Sequence, residues 1–123
     1  MTEDEVISYL EDSGFPAHIV AAGSAGLVDR WQEFVNEVER GYPYGLNEYR
    51  HDLDIRGAIE LLGLADRVIE ADERFAALLD HREIRVWESG GEAPWWDFGY
   101  PRNAGGYLLR GLRELVGSDS AQD

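Results

Sequence analysis

The sequence predicts an all-α fold, a compact bundle of about five helices with one irregular aromatic loop or short hairpin between the fourth and fifth helices. Apolar residues recur at intervals of three and four along most of the chain, which is the spacing of one helix face. Glycines separate these periodic segments and predict where the helices stop. Alternation of apolar and polar residues, which is typical of strands, is confined to a short stretch after His81.

The first helix is predicted from its start signal. Thr2 and Glu5 have the spacing of a capping box, so we expect a helix over residues 3–12 that ends at a glycine. Residues 14–26 contain Phe15, a proline and three glycines, and they are predicted to form a loop that packs over the core.

The clearest helix is predicted to follow Ser24 and to end at Gly41. Its acidic residues lie off the apolar face, which is typical of a helix with one buried side and one solvated side. The apolar stripe consists of Leu27, Val28, Trp31, Phe34, Val35 and Val38.

The third predicted helix, residues 47–62, has two apolar faces instead of one. A helix of this kind needs a partner on each side, so we expect it to be central, the alternative being a break near Asp54. Its dense charges are expected to pair within the helix, for example Asp52 with Arg56. One face carries Leu46, Tyr49 and Leu53, and the other carries Ile55, Ala58, Ile59 and Leu62.

The rest of the chain predicts two further helices around an irregular segment. A fourth helix is expected over residues 66–80 and a fifth over 103–117, whereas 84–87 alternate and 89–91 have turn chemistry. These assignments give a single helical domain over residues 1–117 and a frayed polar tail over 118–123.

The charge of the chain is its most informative bulk property. The formal net charge is -14, and all eleven basic residues are arginine. Such a surface repels phosphate backbones and attracts basic proteins, which predicts a basic protein partner and no nucleic acid. A GC-rich genome or a salt-adapted proteome is the alternative source of the same balance. The acidic N-terminus and the lack of a long apolar stretch predict a cytoplasmic protein with no membrane partner.

The sequence offers little catalytic or metal-binding chemistry. Glu48 and His51 form a single E-x-x-H, and a di-iron bundle needs two copies. The chain has no cysteine and no nucleophile motif, so we predict no catalytic residue, no metal and no cofactor. The alternative function is a small all-α Mg-dependent nucleotide hydrolase, because two acidic pairs have helical ligand spacing. These pairs are Glu70 with Glu73 and Glu33 with Glu37.

Two regions concentrate charge and aromatic rings that can contact a partner protein. One is the acidic surface of the second and third helices, and the other is the segment around Trp95, where rigid aromatic rings lie beside a carboxylate. A structural or scaffold subunit that presents Trp95 to a homologous chain is a third possibility, and the oligomeric state stays open. The predicted partner-binding residues are Glu33, Glu37, Glu48, Asp52, Asp54, Trp95, Trp96 and Asp97.

The segments GYPYGLNEYRHDLDIRGAIELL and PWWDFGYPRNAGGYLLRGL resemble patterns in the small acidic helical immunity and antitoxin-like proteins of GC-rich bacteria. The resemblance covers the second half of the chain and contains no catalytic motif. It implies that the chain is an immunity protein or antitoxin, which neutralises a basic toxin domain by covering its active site. It also implies that the chain has no enzyme chemistry of its own.

Overall fold

A computed structural model describes residues 2–89 and 93–120. Most of these residues are helical, but two strands form a small antiparallel sheet, so the prediction of a purely all-α fold is corrected to a mostly helical one. Short 3-10 turns at Ala65–Val68 and Trp95–Asp97 precede α4 and β2. In chain order the elements are α1 (Glu3–Asp12), α2 (Ala17–Arg40), α3 (Leu46–Leu61), α4 (Ile69–Leu78), β1 (Leu79–Arg85), β2 (Phe98–Pro101) and α5 (Gly106–Ser120).

The bounds of α1 agree with the prediction, whereas α2 begins earlier than predicted. Thr2 Oγ1 accepts a hydrogen bond from the Glu5 amide at 3.2 Å, as the capping box requires. Residues 17–22, assigned to a loop from the sequence, form the first turns of α2. Gly23 then kinks the helix with a φ of 62°. The carboxylate of Glu3 caps the second part, because it accepts from the Ser24 amide at 2.8 Å and from its hydroxyl at 2.7 Å.

The core is organised around α2, which contacts α1, α3 and α4. The apolar stripe predicted for this helix is buried along its whole length. Aromatic rings fill the centre, with centroids 5.0 Å apart for the closest pair, Trp31 and Phe34. Such contacts bury much apolar area and fix how the helices pack. The fully buried rings are those of Trp31, Phe34, Tyr42, Tyr49 and Phe75.

The third helix is unbroken and buried on two faces, as predicted. Residues from both predicted apolar faces are buried, including Leu53 and Ile59, which have no exposed surface. The helix contacts α2 and also α5, whose Gly111 lies so close that an added Cβ would stand 2.7 Å from Leu46 Cβ. The helix therefore packs against two other helices, as a helix with two apolar faces requires.

The sheet lies in the region where the sequence allowed a hairpin. Leu79 pairs with Pro101 and Arg85 with Phe98, with a register shift between them. Gly99, at a φ of 82°, permits the close pairing, because a Cβ there would stand 2.5 Å from the Asp80 carbonyl oxygen. The predicted turn residues Gly90 and Gly91 lie outside the described residues.

The last two helices end at other residues than those predicted. The fourth stops at Leu78, because the chain turns into β1. The fifth begins at Gly106 instead of Asn103, whose side-chain amide donates to the Val38 carbonyl at the end of α2. It continues to Ser120, so residues 118–120 of the predicted tail are helical, and residues 121–123 lie outside the described residues.

Candidate functional site

Asp52 belongs to a buried network that joins α2 to α3. Its Oδ1 accepts from the Arg30 guanidinium at 2.7 Å and its Oδ2 from the Tyr42 hydroxyl at 2.7 Å. Arg30 also pairs with Glu37 at 3.3 Å. Burial raises the pKa of Asp52, while the Tyr42 hydrogen bond and the Arg30 charge act against that rise. We call Arg30, Glu37, Tyr42 and Asp52 the Arg30 network.

Arg56 connects α3 to α4 and to residues 93–101, which we call the aromatic segment. The predicted pair between Arg56 and Asp52 does not form; Asp52 pairs with Arg30 instead. The Arg56 guanidinium contacts both Asp72 oxygens, with the closest pair 2.8 Å apart. It also pairs with Glu60 at 3.2 Å, and its Cζ lies 4.4 Å from the centre of the Trp96 ring. Only 4% of this side chain is exposed, and the carboxylates of Asp72 and Glu60 compensate its charge.

Trp96 and Asp97 hold the aromatic segment in place. Trp96 is buried, and its indole N–H donates to the Ser89 hydroxyl at 2.7 Å. Asp97 has no exposed surface, and it accepts from the Ser89 amide at 3.0 Å and lies 3.6 Å from the Arg85 guanidinium. Trp95 remains partly exposed, edge-on to Trp96. Of these three predicted site residues, only Trp95 presents an accessible ring.

Asp54 brings α3 next to the segment that leads into the aromatic residues. Its Oδ1 accepts from the Trp87 indole N–H at 2.7 Å. Burial raises the pKa of Asp54, and the Trp87 hydrogen bond opposes that rise. A Cβ on Gly57 would stand 2.9 Å from the Ser89 carbonyl oxygen. The second half of α3 and the aromatic segment are therefore neighbours.

A cavity of about 580 Å³ opens between the end of α1, the second half of α3 and the aromatic segment. We call it the aromatic cavity. Its volume falls in the range of about 300–1,000 Å³ that is typical of binding sites. Leu61 at its edge is 64% exposed, which is unusual for leucine. Its aromatic, acidic and exposed apolar lining residues include Tyr9, Phe15, Asp54, Glu60, Leu61 and Trp95.

Two further cavities lie next to the aromatic cavity, because neighbouring cavities share lining residues. One of about 390 Å³ shares Phe15 and Asp54 with it. The next, of about 450 Å³, shares His18 and Arg30 with the second and ends at Tyr44. We call these three cavities together the acidic groove. Its lining contains six carboxylates and two arginines, Arg30 and Arg56, so acidic side chains are in excess. Its carboxylates are those of Asp29, Glu33, Glu37, Asp52, Asp54 and Glu60.

The structure brings most of the predicted partner-binding residues to this groove and leaves two outside it. Glu33, Glu37, Asp52, Asp54, Trp95 and Trp96 line it. Asp97 is buried behind the aromatic segment. Glu48 is exposed in the first turn of α3 and lines a separate cavity against α5.

Several residues that shape the groove were not identified from the sequence. Tyr9 and Phe15 line the aromatic cavity, although they belong to a helix and a connection far along the chain from it. Trp87 positions Asp54 across 33 residues. Gly57 was the available signal, because glycine inside a helix costs about 1 kcal/mol and indicates a close approach.

The acidic pairs that suggested a magnesium site do not assemble into one. Glu70 and Glu73 are exposed on α4, and Glu37 is paired with Arg30. In the ranges 2–89 and 93–120, no three or more His, Asp or Glu side chains come together in a way that suits a metal ion. Among the helices in those ranges, none combines the length and the apolar character needed to cross a membrane.

The chain matches no protein-family model, no curated protein and no solved structure. The function is therefore inferred from the shape and charge of the groove.

Proposed function

We propose that this protein is an acidic protein-binding module that binds a basic partner through the acidic groove. Its proposed biological role is that of an immunity protein or antitoxin, which neutralises a basic toxin domain by covering its active site. The observation that supports this proposal is the groove itself, where carboxylates outnumber arginines and every arginine is already paired. Such a surface is complementary to a cleft that is built to bind phosphate.

The charge of the groove acts in the same direction as the charge of the whole chain. With a formal net charge of -14, the protein attracts a basic surface over a long range and accelerates encounter. Asp29 and Glu33 are exposed on the α2 side of the groove, where a partner meets them first. The same field repels phosphate backbones, so nucleic acid is not a proposed partner.

The groove also offers apolar contact area for a partner. Tyr44 is 49% exposed at one end and Leu61 64% exposed at the other, with the Trp95 ring beside Leu61. Aromatic side chains of this kind are frequent binding hot spots. The Arg30 network and the Arg56 ion pairs fix the floor of the groove before binding, which reduces the entropy lost on association.

The composition fits a cytoplasmic protein, which we propose as its location. The chain has no cysteine and therefore needs no oxidising compartment in order to fold. A cytoplasmic inhibitor also meets a toxin domain in the compartment where that toxin acts.

The experiment compares two charge-reversed variants that change the net charge by the same amount. Asp29→Arg/Glu33→Arg alters the groove, and Glu70→Arg/Glu73→Arg alters exposed acids on α4 outside it. A partner is captured from the source lysate with the unmodified protein, identified and purified, and its binding kinetics are measured with all three proteins. We expect a basic partner whose association rate falls about tenfold or more with the groove variant.

The α4 variant is the matched control, and it also removes one of the two acidic pairs on which the hydrolase alternative depends. Association within about twofold of the unmodified protein is expected for it, because its charges lie away from the contact. Equal losses with both variants would show that only the overall charge matters. Unchanged kinetics with the groove variant would contradict the proposed surface.

A further inference from the structure

We propose that the aromatic cavity is the pocket for an arginine side chain of the protein partner. This inference rests on the proposed function, because it assigns one contact within the acidic groove. It specifies what part of a basic surface the groove recognises.

The aromatic lining of the cavity suits a planar cation. Tyr9, Phe15 and Trp95 all contribute to its wall. A guanidinium group stacks on aromatic faces, and it is less strongly hydrated than an ammonium group, so it enters an apolar pocket at lower cost. Lysine lacks the planar group that gains from such contacts.

The carboxylates of the cavity supply the charge that a guanidinium needs. Asp54 Oδ1 is held by Trp87, and its Oδ2 accepts no hydrogen bond from any residue within 2–89 and 93–120. Glu60 uses Oε2 to pair with Arg56, and 56% of its side chain is exposed. Oriented carboxylate oxygens beside aromatic rings match the fork of N–H groups that arginine presents.

The protein already binds one of its own arginines with the same set of groups in the wall of this cavity. Arg56 lies over Trp96 and makes paired hydrogen bonds with the Asp72 carboxylate. Because the paired Asp72 carboxylate offsets the charge of Arg56, the repulsion of a second guanidinium is reduced and the charge of Glu60 remains in excess. At about 580 Å³, the cavity has room for a side chain and part of the backbone that carries it.

The indole N–H signals in a ¹⁵N–¹H correlation spectrum provide local probes. Trp87 reports on Asp54, its hydrogen-bond acceptor, and Trp95 reports on the wall of the cavity. Trp31 is fully buried and donates to Asp72, the carboxylate that also binds Arg56 of the cavity wall, so its signal reports whether binding disturbs that ion pair. Each signal is assigned by a single Trp→Phe substitution. The probes titrated are Nα-acetyl-arginine N-methylamide and the citrulline and lysine compounds of the same form.

The arginine amide is expected to shift the Trp87 and Trp95 signals and to leave Trp31 unchanged. The uncharged citrulline compound should bind at least about tenfold more weakly, and the lysine compound several-fold more weakly. Asp54→Asn keeps an acceptor for Trp87 but removes the charge, so we expect a Kd about tenfold higher. Glu70→Gln, at an exposed residue of α4 outside the groove, should change the Kd less than twofold.

Glu60→Gln is a second variant that removes a carboxylate from the cavity, and it should also weaken binding of the arginine amide. The inference therefore stays testable if Asp54→Asn has a folding defect. The inference is overturned if the arginine amide leaves Trp87 and Trp95 unmoved, or if citrulline or lysine binds equally well. This titration needs no partner protein. If the amide fails while the groove variant still loses its partner, only the arginine pocket is wrong. If the amide binds and no charge-dependent partner exists, the proposed function is wrong.

Discussion

The Arg30 network and the aromatic cavity contain carboxylates only two residues apart on α3, yet these carboxylates have different surroundings. Burial raises the pKa of both Asp52 and Asp54. Both Asp52 oxygens are satisfied by Arg30 and Tyr42, whereas Asp54 has one described hydrogen bond, from Trp87. Burial therefore does not distinguish the two carboxylates, but the hydrogen bonds that they already make do. A carboxylate whose oxygens are both satisfied is structural, whereas one with an unsatisfied oxygen is free to bind.

The largest expected effect is on stability. Asp52→Ala leaves the buried Tyr42 hydroxyl without its acceptor and removes the closest partner of Arg30, so we expect a loss of about 3 kcal/mol in the free energy of unfolding. Asp54→Ala removes one hydrogen bond from a partly exposed group and should cost about 1 kcal/mol. Urea denaturation of both variants measures the difference. Equal losses would mean that Asp54 is also structural.

The second prediction uses pH to test the free carboxylate. Binding of the arginine amide requires ionised Asp54, so affinity should fall as the pH drops through the pKa of Asp54, which burial places above its ordinary range. The loss should approach the tenfold effect of Asp54→Asn. The charges acting on Asp54 are those of His51 and Asp97, with Trp87 as its hydrogen-bond donor. Since Asp54→Asn retains these groups and also Glu60, the pH dependence of binding should be clearly smaller for that variant, and any part that remains belongs to the retained groups. An equal pH dependence would assign the effect to another group.

A third prediction concerns the contact that closes one wall of the aromatic cavity. Gly57→Ala places a Cβ 2.9 Å from the Ser89 carbonyl oxygen, so the two segments must move apart. The better helix propensity of alanine offsets part of that cost, and we expect the free energy of unfolding to fall by about 1 kcal/mol. Gly106→Ala is the control, because nothing lies within 4 Å of its added Cβ. If Gly106→Ala unfolds at a lower temperature than Gly57→Ala, the close contact between Gly57 and Ser89 is refuted.

The smallest effect is expected for an ion pair that belongs to neither region. Arg74 and Glu39 form hydrogen bonds on the surface, and these lower the pKa of Glu39. Both side chains are more than a third exposed. Glu39→Gln should therefore change the free energy of unfolding by about 0.5 kcal/mol or less. Urea denaturation at low and high salt tests this estimate. A loss as large as that of Asp52→Ala would remove the distinction between buried and surface pairs.

The helices were predicted well wherever their signals are local. The apolar stripe of α2 and the two faces of α3 follow from residues three and four apart, and the start of α1 follows from Thr2 and Glu5. The first turns of α2 were missed, because Phe15, a proline and three glycines within residues 14–26 indicated a loop. From the sequence, a short hairpin and an irregular loop were both possible between the fourth and fifth helices, since most of β1 lacks a clear alternation of apolar and polar residues.

The sequence by itself determined the helical periods, the excess of carboxylates and the two regions in which charge and aromatic residues concentrate. These are properties of composition and of short-range spacing, so no tertiary contact is needed to read them. Only the tertiary structure decided that Asp97 and Trp96 are buried, that Glu48 lies away from the groove, and that Asp54 lines a cavity. Burial and hydrogen bonding between residues far apart in the chain are set by how helices pack, which the local pattern does not specify.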